Sequence, residues 1–187
     1  MLWRCWKNFA IEKNKHFTRK KPMYDPYSLS LLTDVCNLQV MAQSLYSIHW
    51  NLVSPHFLSI HKFTDNQHSL MLELVDELAE RVRALGVKIP TTLEDIFKLK
   101  SISEVCLFGS DQTDYQCLCA LLQSTQMAHG HVTESIELAN QCNDLGTQDI
   151  LIGIEKALAK QIWMIKSQSI QLESPVQQPR SEVRHES

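Results

Sequence analysis

Five side chains between residues 49 and 80 have the types and spacing expected of metal ligands. They are His49, His61, Asp65, Asp76 and Glu80. Imidazole nitrogens and carboxylate oxygens together suit a divalent first-row metal such as iron or manganese, and bridging carboxylates can hold two such ions. His61 and Asp65 are four residues apart, as are Asp76 and Glu80, so each pair shares one face of a helix. The sequence therefore contains two candidate halves of a metal site.

The two pairs lie too far apart on one helix to bind the same ion. Eleven residues separate Asp65 from Asp76, which is about 16 Å of helix, whereas metal–ligand bonds measure about 2 Å. Two interpretations remain open. Either the pairs are unrelated surface groups, or a second copy of the helix lies antiparallel and completes each pair. A two-fold dimer would supply that copy and give two equivalent sites.

The rest of the sequence predicts long helices that would position these ligands. Only five Gly and six Pro occur in 187 residues, and segments 56–89 and 91–174 contain no proline, which argues against a β-sandwich or barrel. Apolar periodicity with capping signals predicts helices at about 26–50, from Ser54-Pro55 to about 85, at 93–99 with a Thr91–Glu94 capping box, from Gly109-Ser110-Asp111 to about 142, and from Thr147 to about Ser169.

Four long helices, with a short one in the crossover between the second and third, predict an all-α, ferritin-like four-helix bundle. We expect this domain to cover residues 25–172, between a basic extension at 1–24 and a disordered tail at 173–187. No apolar run reaches the roughly 18 residues of a membrane span, and no C-x-x-C motif occurs. These features predict a cytoplasmic protein with reduced cysteines. A thiolate site at Cys117 and Cys119 is disfavoured because residues two apart point to opposite sides of a helix.

The motifs resemble those of the Dps family, the miniferritins. The spacings of 12, 4, 11 and 4 residues between the five ligand positions match that family's pattern without insertion, and the similarity covers about residues 25–172. Ser54 departs from it, because a glycine is common there. The E-x-x-H motif of an ordinary ferritin site occurs only at Glu182–His185, in the tail. The matching residues are His49-Trp50-Asn51, Pro55-x-Phe57, His61-x3-Asp65, Asp76-x2-Ala79-Glu80-Arg81-x3-Leu85-Gly86, Thr147-x-Asp149-Ile150-Leu151 and Trp163-x-Ile165.

This resemblance implies a hollow shell of twelve subunits, built from two-fold dimers, with diiron sites between subunits. His49, His61 and Asp65 of one subunit would face Asp76 and Glu80 of its mate, with Glu80 as the bridging ligand. Such a protein oxidises Fe(II), with hydrogen peroxide in preference to oxygen, and stores ferric mineral, which denies the cell hydroxyl radicals.

Three further positions carry predictions from the same resemblance. Trp50 would relay an electron beside the site, unless it only packs in the core. Asp144 and Asp149 would line an acidic three-fold pore that concentrates Fe(II). The alternative for Asp149 is a favourable interaction with a helix N-terminus.

The basic N-terminal arm suggests a competing function. Residues 1–22 have a net charge of +6, whereas the whole chain has −3, so the remainder is strongly acidic. The arm could bind DNA phosphates in a salt-sensitive way, which would give a nucleoid-compacting protein, although a native product that begins at Met23 would lack the arm. A third candidate is a shell in which the metal site serves only assembly. The candidate DNA contacts are Lys13, Lys15, Arg19, Lys20 and Lys21.

Overall fold

A computed structural model describes residues 24–173 of the chain. It contains five helices: α1 (Pro26–Asn51), α2 (Phe57–Ala84), α3 (Leu93–Leu99), α4 (Asp114–Gln141) and α5 (Leu145–Glu173). The predicted all-α bundle with a short helix in the crossover is confirmed. The candidate DNA contacts at Lys13, Lys15, Arg19, Lys20 and Lys21 lie outside the described residues, as does most of the predicted tail, so both remain predictions.

The start of α1 agrees with the sequence prediction. The Asp25 carboxylate accepts a hydrogen bond from the Ser28 backbone N–H at 3.0 Å, and Pro26 occupies the first helical position. An N-cap of this kind stabilises a helix by about 1 kcal/mol, and proline there costs no backbone hydrogen bond.

The predicted start of α2 is wrong because Ser54 and Pro55 form a turn before the helix. The Ser54 hydroxyl accepts from the His56 backbone N–H at 2.9 Å, and the helix begins at Phe57. The cap of α3 is Thr92 and not Thr91: Thr92 Oγ1 accepts from the Asp95 backbone N–H.

The predicted starts of α4 and α5 are wrong because residues other than the predicted ones cap these helices. Thr113, paired with Gln116 in a capping box, begins α4 at Asp114 instead of near Gly109. Asp144 accepts from the Thr147 backbone N–H at 3.1 Å, so α5 begins at Leu145. It then continues to Glu173, four residues beyond its predicted end.

The four long helices form a closed ring of neighbours. Helix α1 packs against α2 and α4, and α5 packs against α4 and α2. The helices enclose a core of aliphatic side chains. Burial of one aliphatic side chain contributes about 1.5–3 kcal/mol, so the core stabilises the bundle more than the helix propensity of any single segment does. The largest fully buried side chains are Leu31, Leu32, Leu38, Met41, Leu45, Ile48, Ile60, Met71, Leu78, Leu118, Leu121 and Leu151.

The crossover between α2 and α4 is anchored along the side of α1. Three backbone N–H groups of its extended part donate to α1 side chains that advance in the same direction: Ser101 to Asn37 at 2.8 Å, Val105 to Ser44 at 2.9 Å and Leu107 to Ser47 at 2.8 Å. The segment therefore returns the chain to the end of the bundle where α2 began, and α2 and α4 run parallel. Within residues 24–173, no helix is long and apolar enough to cross a membrane.

A buried acid–base pair links α1 to α4. Asp34 has no exposed surface, and its Oδ1 lies 2.7 Å from Nδ1 of His131. Burial raises the pKa of Asp34, against the effect of the His131 imidazole. The hydrogen bond to Asp34 in turn raises the pKa of His131 above its ordinary value of 6.5, with a smaller contribution from Glu134. Both groups of the pair therefore bind a proton more tightly in the fold than they do as free side chains.

This pair predicts a stability that falls as the pH rises. A group whose pKa is higher in the folded protein stabilises the fold below its unfolded pKa, and the gain is lost as the pH rises through the folded value. We expect the free energy of unfolding to fall between pH 6 and pH 9, and Asp34→Asn to flatten that fall, as measured by chemical denaturation. Glu134→Gln is the control and should keep most of the slope. Equal slopes in the native protein and Asp34→Asn would contradict the assignment.

Candidate metal centre

His49 and His61 meet where α1 ends and α2 begins. Their rings stack with centroids 3.7 Å apart and planes 17° apart. Nδ1 of His49 lies 3.0 Å from the backbone oxygen of His61, and Nδ1 of His61 lies 3.0 Å from the backbone oxygen of His49. The two residues therefore form a reciprocal pair of hydrogen bonds that joins the two helices.

These contacts fix the tautomer of both imidazoles. A carbonyl oxygen can only accept, so Nδ1 must carry the proton in each ring. In the neutral form of each ring the lone pair is then on Nε2, and this is the form that binds a metal. A hydrogen bond from the second ring nitrogen to a carbonyl also fixes the orientation of a ligating histidine. The backbone thus orients the two candidate ligands, His49 and His61, through their Nδ1 atoms.

Aromatic rings surround this pair. The ring of Phe57 lies 4.8 Å from that of His61. Tyr46 stacks on Trp50 at 4.4 Å and on His68 at 3.4 Å between centroids. Trp50 is 66% exposed, so it does not belong to the core of the single chain.

His68 and Tyr46 complete the surroundings of the pair. His68 is buried, and this burial lowers its pKa, so it is a neutral packed ring. It was not predicted as a ligand. Sequence reasoning missed Tyr46, although its position three residues before His49 places both on one face of α1.

The other candidate ligands lie on one stripe along α2. Asp65, Ser69, Leu72, Asp76 and Glu80 follow one another at intervals of 4, 3, 4 and 4 residues, and all five are exposed. His61, four residues before Asp65, is half-buried at the start of the stripe. Side chains at such intervals share one helix face. We call these six residues the α2 stripe.

The single chain brings only part of the predicted ligand set together. His49 and His61 are in contact, and His61 shares the stripe with the three carboxylates. In the part of the chain that the structure describes, however, no group of three His, Cys, Asp or Glu side chains converges on one point. The distance argument of the sequence therefore holds in the fold: Asp76 and Glu80 lie farther along the same straight helix.

The two candidate pore residues have different surroundings. Both oxygens of Asp144 are occupied inside the chain: Oδ1 accepts from Arg81 Nη2 at 2.6 Å, and Oδ2 accepts from the Tyr27 hydroxyl at 3.0 Å and the Thr147 hydroxyl at 2.7 Å. Burial opposes ionisation, but these hydrogen bonds hold the pKa of Asp144 below its usual range. Asp149 is exposed on α5. Of the two, only Asp149 presents its carboxylate to solvent.

Comparison with known proteins gives a consistent result at the level of family. The ferritin-like domain family matches residues 30–174. The chain is 29% identical over 133 residues to the DNA protection during starvation protein of Listeria monocytogenes, across 71% of this chain and 85% of that protein. It is 25% identical over 133 residues to general stress protein 20U of Bacillus subtilis, across 71% of this chain and 90% of that one.

Solved structures are similar over most of their length. Dps from Listeria monocytogenes superposes with a TM-score of 0.73 at 27% identity, covering 79% of this chain and 95% of that one. Dps from Staphylococcus aureus gives a TM-score of 0.72 at 26% identity, covering 76% and 94%.

The reciprocal hydrogen bonds predict an NMR signature. We expect His49 and His61 to carry the proton on Nδ1, because each must donate to a carbonyl. Long-range proton–nitrogen correlation spectra, recorded at pH 8 where free imidazole is neutral, would show this state. The His49→Gln and His61→Gln variants would assign the two signals. A protonated Nε2 on either ring in the native protein would contradict the geometry.

Proposed function

The chain belongs to the ferritin-like domain family, and we propose that it oxidises Fe(II) with hydrogen peroxide at sites shared between two subunits and stores the ferric product. Its relatives in sequence and structure are Dps proteins, so the resemblance that the motifs carry is confirmed. The proposal rests on one observation, which is the symmetry of the α2 stripe.

The spacing of the stripe is the same when read from either end, with intervals of 4, 4, 3, 4 and 4 residues. In an antiparallel pair of α2 helices whose two-fold axis passes between Leu70 and Met71, each residue meets the partner residue equally far from the axis. His61 then lies opposite Glu80 of the second copy, and Asp65 opposite Asp76. Both ligand pairs satisfy this one register. At each of the two sites this register brings one imidazole of the stripe, from His61, together with three carboxylates.

The middle of the stripe suits a contact between two copies. In the same register Ser69 lies opposite Leu72, and Leu72 is 51% exposed although apolar. Large exposed apolar side chains also occur beside the histidine end of the stripe, at Trp50, Phe57 and Leu58. Contiguous apolar surface on one face of a small domain marks an interaction site. A second copy would bury these groups and bring the two ligand pairs together.

The assembled site would bind two Fe(II) ions as substrates. Nε2 of His49 and His61 and the Asp65 carboxylate would bind iron from one subunit, and Asp76 and Glu80 would bind it from the other. Glu80, with two oxygens, would bridge the ions. Two Fe(II) ions give one electron each to one hydrogen peroxide molecule, whose O–O bond breaks to yield two hydroxide ions. No hydroxyl radical is released, because both electrons are supplied together.

The proposed function also requires assembly of the dimers and delivery of Fe(II) to the sites. The dimers would build a hollow dodecamer in the cytoplasm, with ferric mineral inside. The exposed Asp149 would attract Fe(II) at a pore, and Trp50, beside the site and stacked on Tyr46, would pass an electron to it. DNA would be protected because Fe(II) and peroxide are consumed. Direct DNA binding through the arm at Lys13–Lys21 is the alternative function, favoured by its charge alone.

Mixing two inactive variants tests whether the site is shared. We expect His61→Asn and Glu80→Gln each to reduce peroxide-dependent Fe(II) oxidation by at least about a hundredfold, since each removes a ligand from every site. After dissociation and joint reassembly, half of the dimers are mixed and hold one intact site of two. About a quarter of the native activity should return, as measured by stopped-flow absorbance.

A matched mixture provides the control. Asp76→Asn and Glu80→Gln both damage the same half of the site, so no mixed dimer contains an intact one and the activity should stay at the level of the single variants. If the first mixture also stays inactive while mass spectrometry shows mixed dimers, the shared site is wrong. A native protein that does not oxidise Fe(II) at all would exclude the whole proposal.

A charged side chain at the centre of the α2 stripe tests whether two copies of the chain meet there. Leu72→Arg would place two arginines near the axis, where burying an unpaired charge costs about 3 kcal/mol. The dissociation constant of the dimer should rise by about a hundredfold, and Fe(II) oxidation should fall at protein concentrations where the dimer dissociates. Asn66→Arg, on an exposed position of α2 outside the stripe, should leave association unchanged in analytical ultracentrifugation. Equal association of both variants would place the interface elsewhere.

A further inference from the structure

Arg81, the residue after Glu80, ties the end of α2 to the start of α5. Its Nη2 donates to Asp144 Oδ1 at 2.6 Å and its Nε donates to Thr147 Oγ1 at 2.9 Å. Thr147 is fully buried, and Asp144 also accepts from the Tyr27 hydroxyl on α1. Arg81 therefore joins α2 to α5 directly and to α1 through Asp144. Donating to two partners at once is a task that a planar guanidinium suits better than an ammonium.

Gly146 makes room for this guanidinium. A Cβ atom at Gly146 would lie 3.3 Å from Arg81 Nη2 and 3.4 Å from Cζ. That is closer than nearly all Cβ contacts, and the guanidinium cannot move freely because Asp144 and Thr147 hold it. The absence of a side chain at Gly146 thus allows Arg81 to lie flat against the first turn of α5.

The position of Glu80 near the end of α2 makes the contacts of Arg81 relevant to the proposed iron site. Glu80 is exposed and lies one turn before α2 ends at Ala84, and Gly86 follows with φ 89°. Backbone N–H groups of Leu85, Val87 and Gly86 satisfy the last carbonyl groups of α2, at Arg81, Val82 and Arg83, but no further helical turn follows to hold this end in place. A ligand one turn from that end must be held within a fraction of an ångström to complete a site that begins on another subunit.

We propose that Arg81 is a positioning residue, which holds the last turns of α2 so that Glu80 reaches the iron site of the partner subunit. The inference rests on the proposed function. Leu78 and Val82 anchor the same turns in the core, but apolar contacts leave the rotation of a helix end less defined than two hydrogen bonds at fixed angles. Fixing Asp144 through Arg81 also links the α4–α5 turn to the iron ligand.

The neighbouring Arg83 offers a matched comparison. It lies two residues later on the same helix end, is exposed, and donates to the Val87 backbone oxygen at 2.9 Å. It has the same charge as Arg81, but that hydrogen bond stays within the local turn. Arg83→Gln should therefore leave iron binding unchanged.

The test compares variants by the Fe(II) concentration at half-maximal oxidation rate. Arg81→Gln should raise it by about tenfold, the lower end of the loss in metal affinity when a residue that orients a ligand is removed, with a smaller change in the rate at saturating iron. Arg81→Lys should restore part of the loss, since an ammonium can bind Asp144 but not Thr147 as well. Gly146→Ala should raise it too, while the added methyl group favours the helix.

The outcomes separate the inference from the function on which it rests. If Glu80→Gln abolishes oxidation but Arg81→Gln and Gly146→Ala keep the native half-saturating concentration, Arg81 is structural only and the inference is wrong. If Arg81→Gln does not fold, Gly146→Ala decides alone by the same criterion. If Glu80→Gln has no effect on iron oxidation, the proposed function itself fails, whatever Arg81 does.

Discussion

The rigidity of one helix is the constraint from which the rest follows. A helix rises 1.5 Å per residue and does not fold back on itself, so the pairs His61–Asp65 and Asp76–Glu80 are held about 16 Å apart on α2. Within one chain they cannot meet. The same rigidity makes a shared site simple to build, because an antiparallel copy places both pairs in register at once. A bundle of four long helices supplies the stiffness that this arrangement needs.

The two ends of α2, where the candidate ligands lie, are held in different ways. At its start, the reciprocal hydrogen bonds between His49 and His61 join α1 to α2 and also set the tautomer of both rings. At its end, Arg81 joins α2 to Asp144 and Thr147 on α5. Both ends thus use polar groups with strict geometry, while the apolar core between them contributes most of the stabilisation.

Two acidic side chains, Asp144 and Asp34, are held by hydrogen bonds inside the bundle. The sequence predicts Asp144 as a pore residue. In the structure its carboxylate oxygens accept hydrogen bonds from Arg81, Tyr27 and Thr147. Asp34 is an acidic residue with no exposed surface, and it is paired with His131 across the α1–α4 contact. Buried charges of this kind are tolerated only with such partners, so they fix which helices must be neighbours.

The sequence by itself determined the helical architecture, the candidate ligands and the fact that their two pairs cannot meet on one helix. These rest on apolar periodicity and on residue spacing along one helix, which are local properties. Only the tertiary structure decided the tautomers of His49 and His61, the stacking of Tyr46 on His68 and the partners of Asp144. Each depends on residues from different helices, up to 117 positions apart in the case of Tyr27 and Asp144. The capping residues of α3 and α5 were misassigned because neighbouring Thr and Asp side chains compete for the same backbone groups, and local spacing does not rank them.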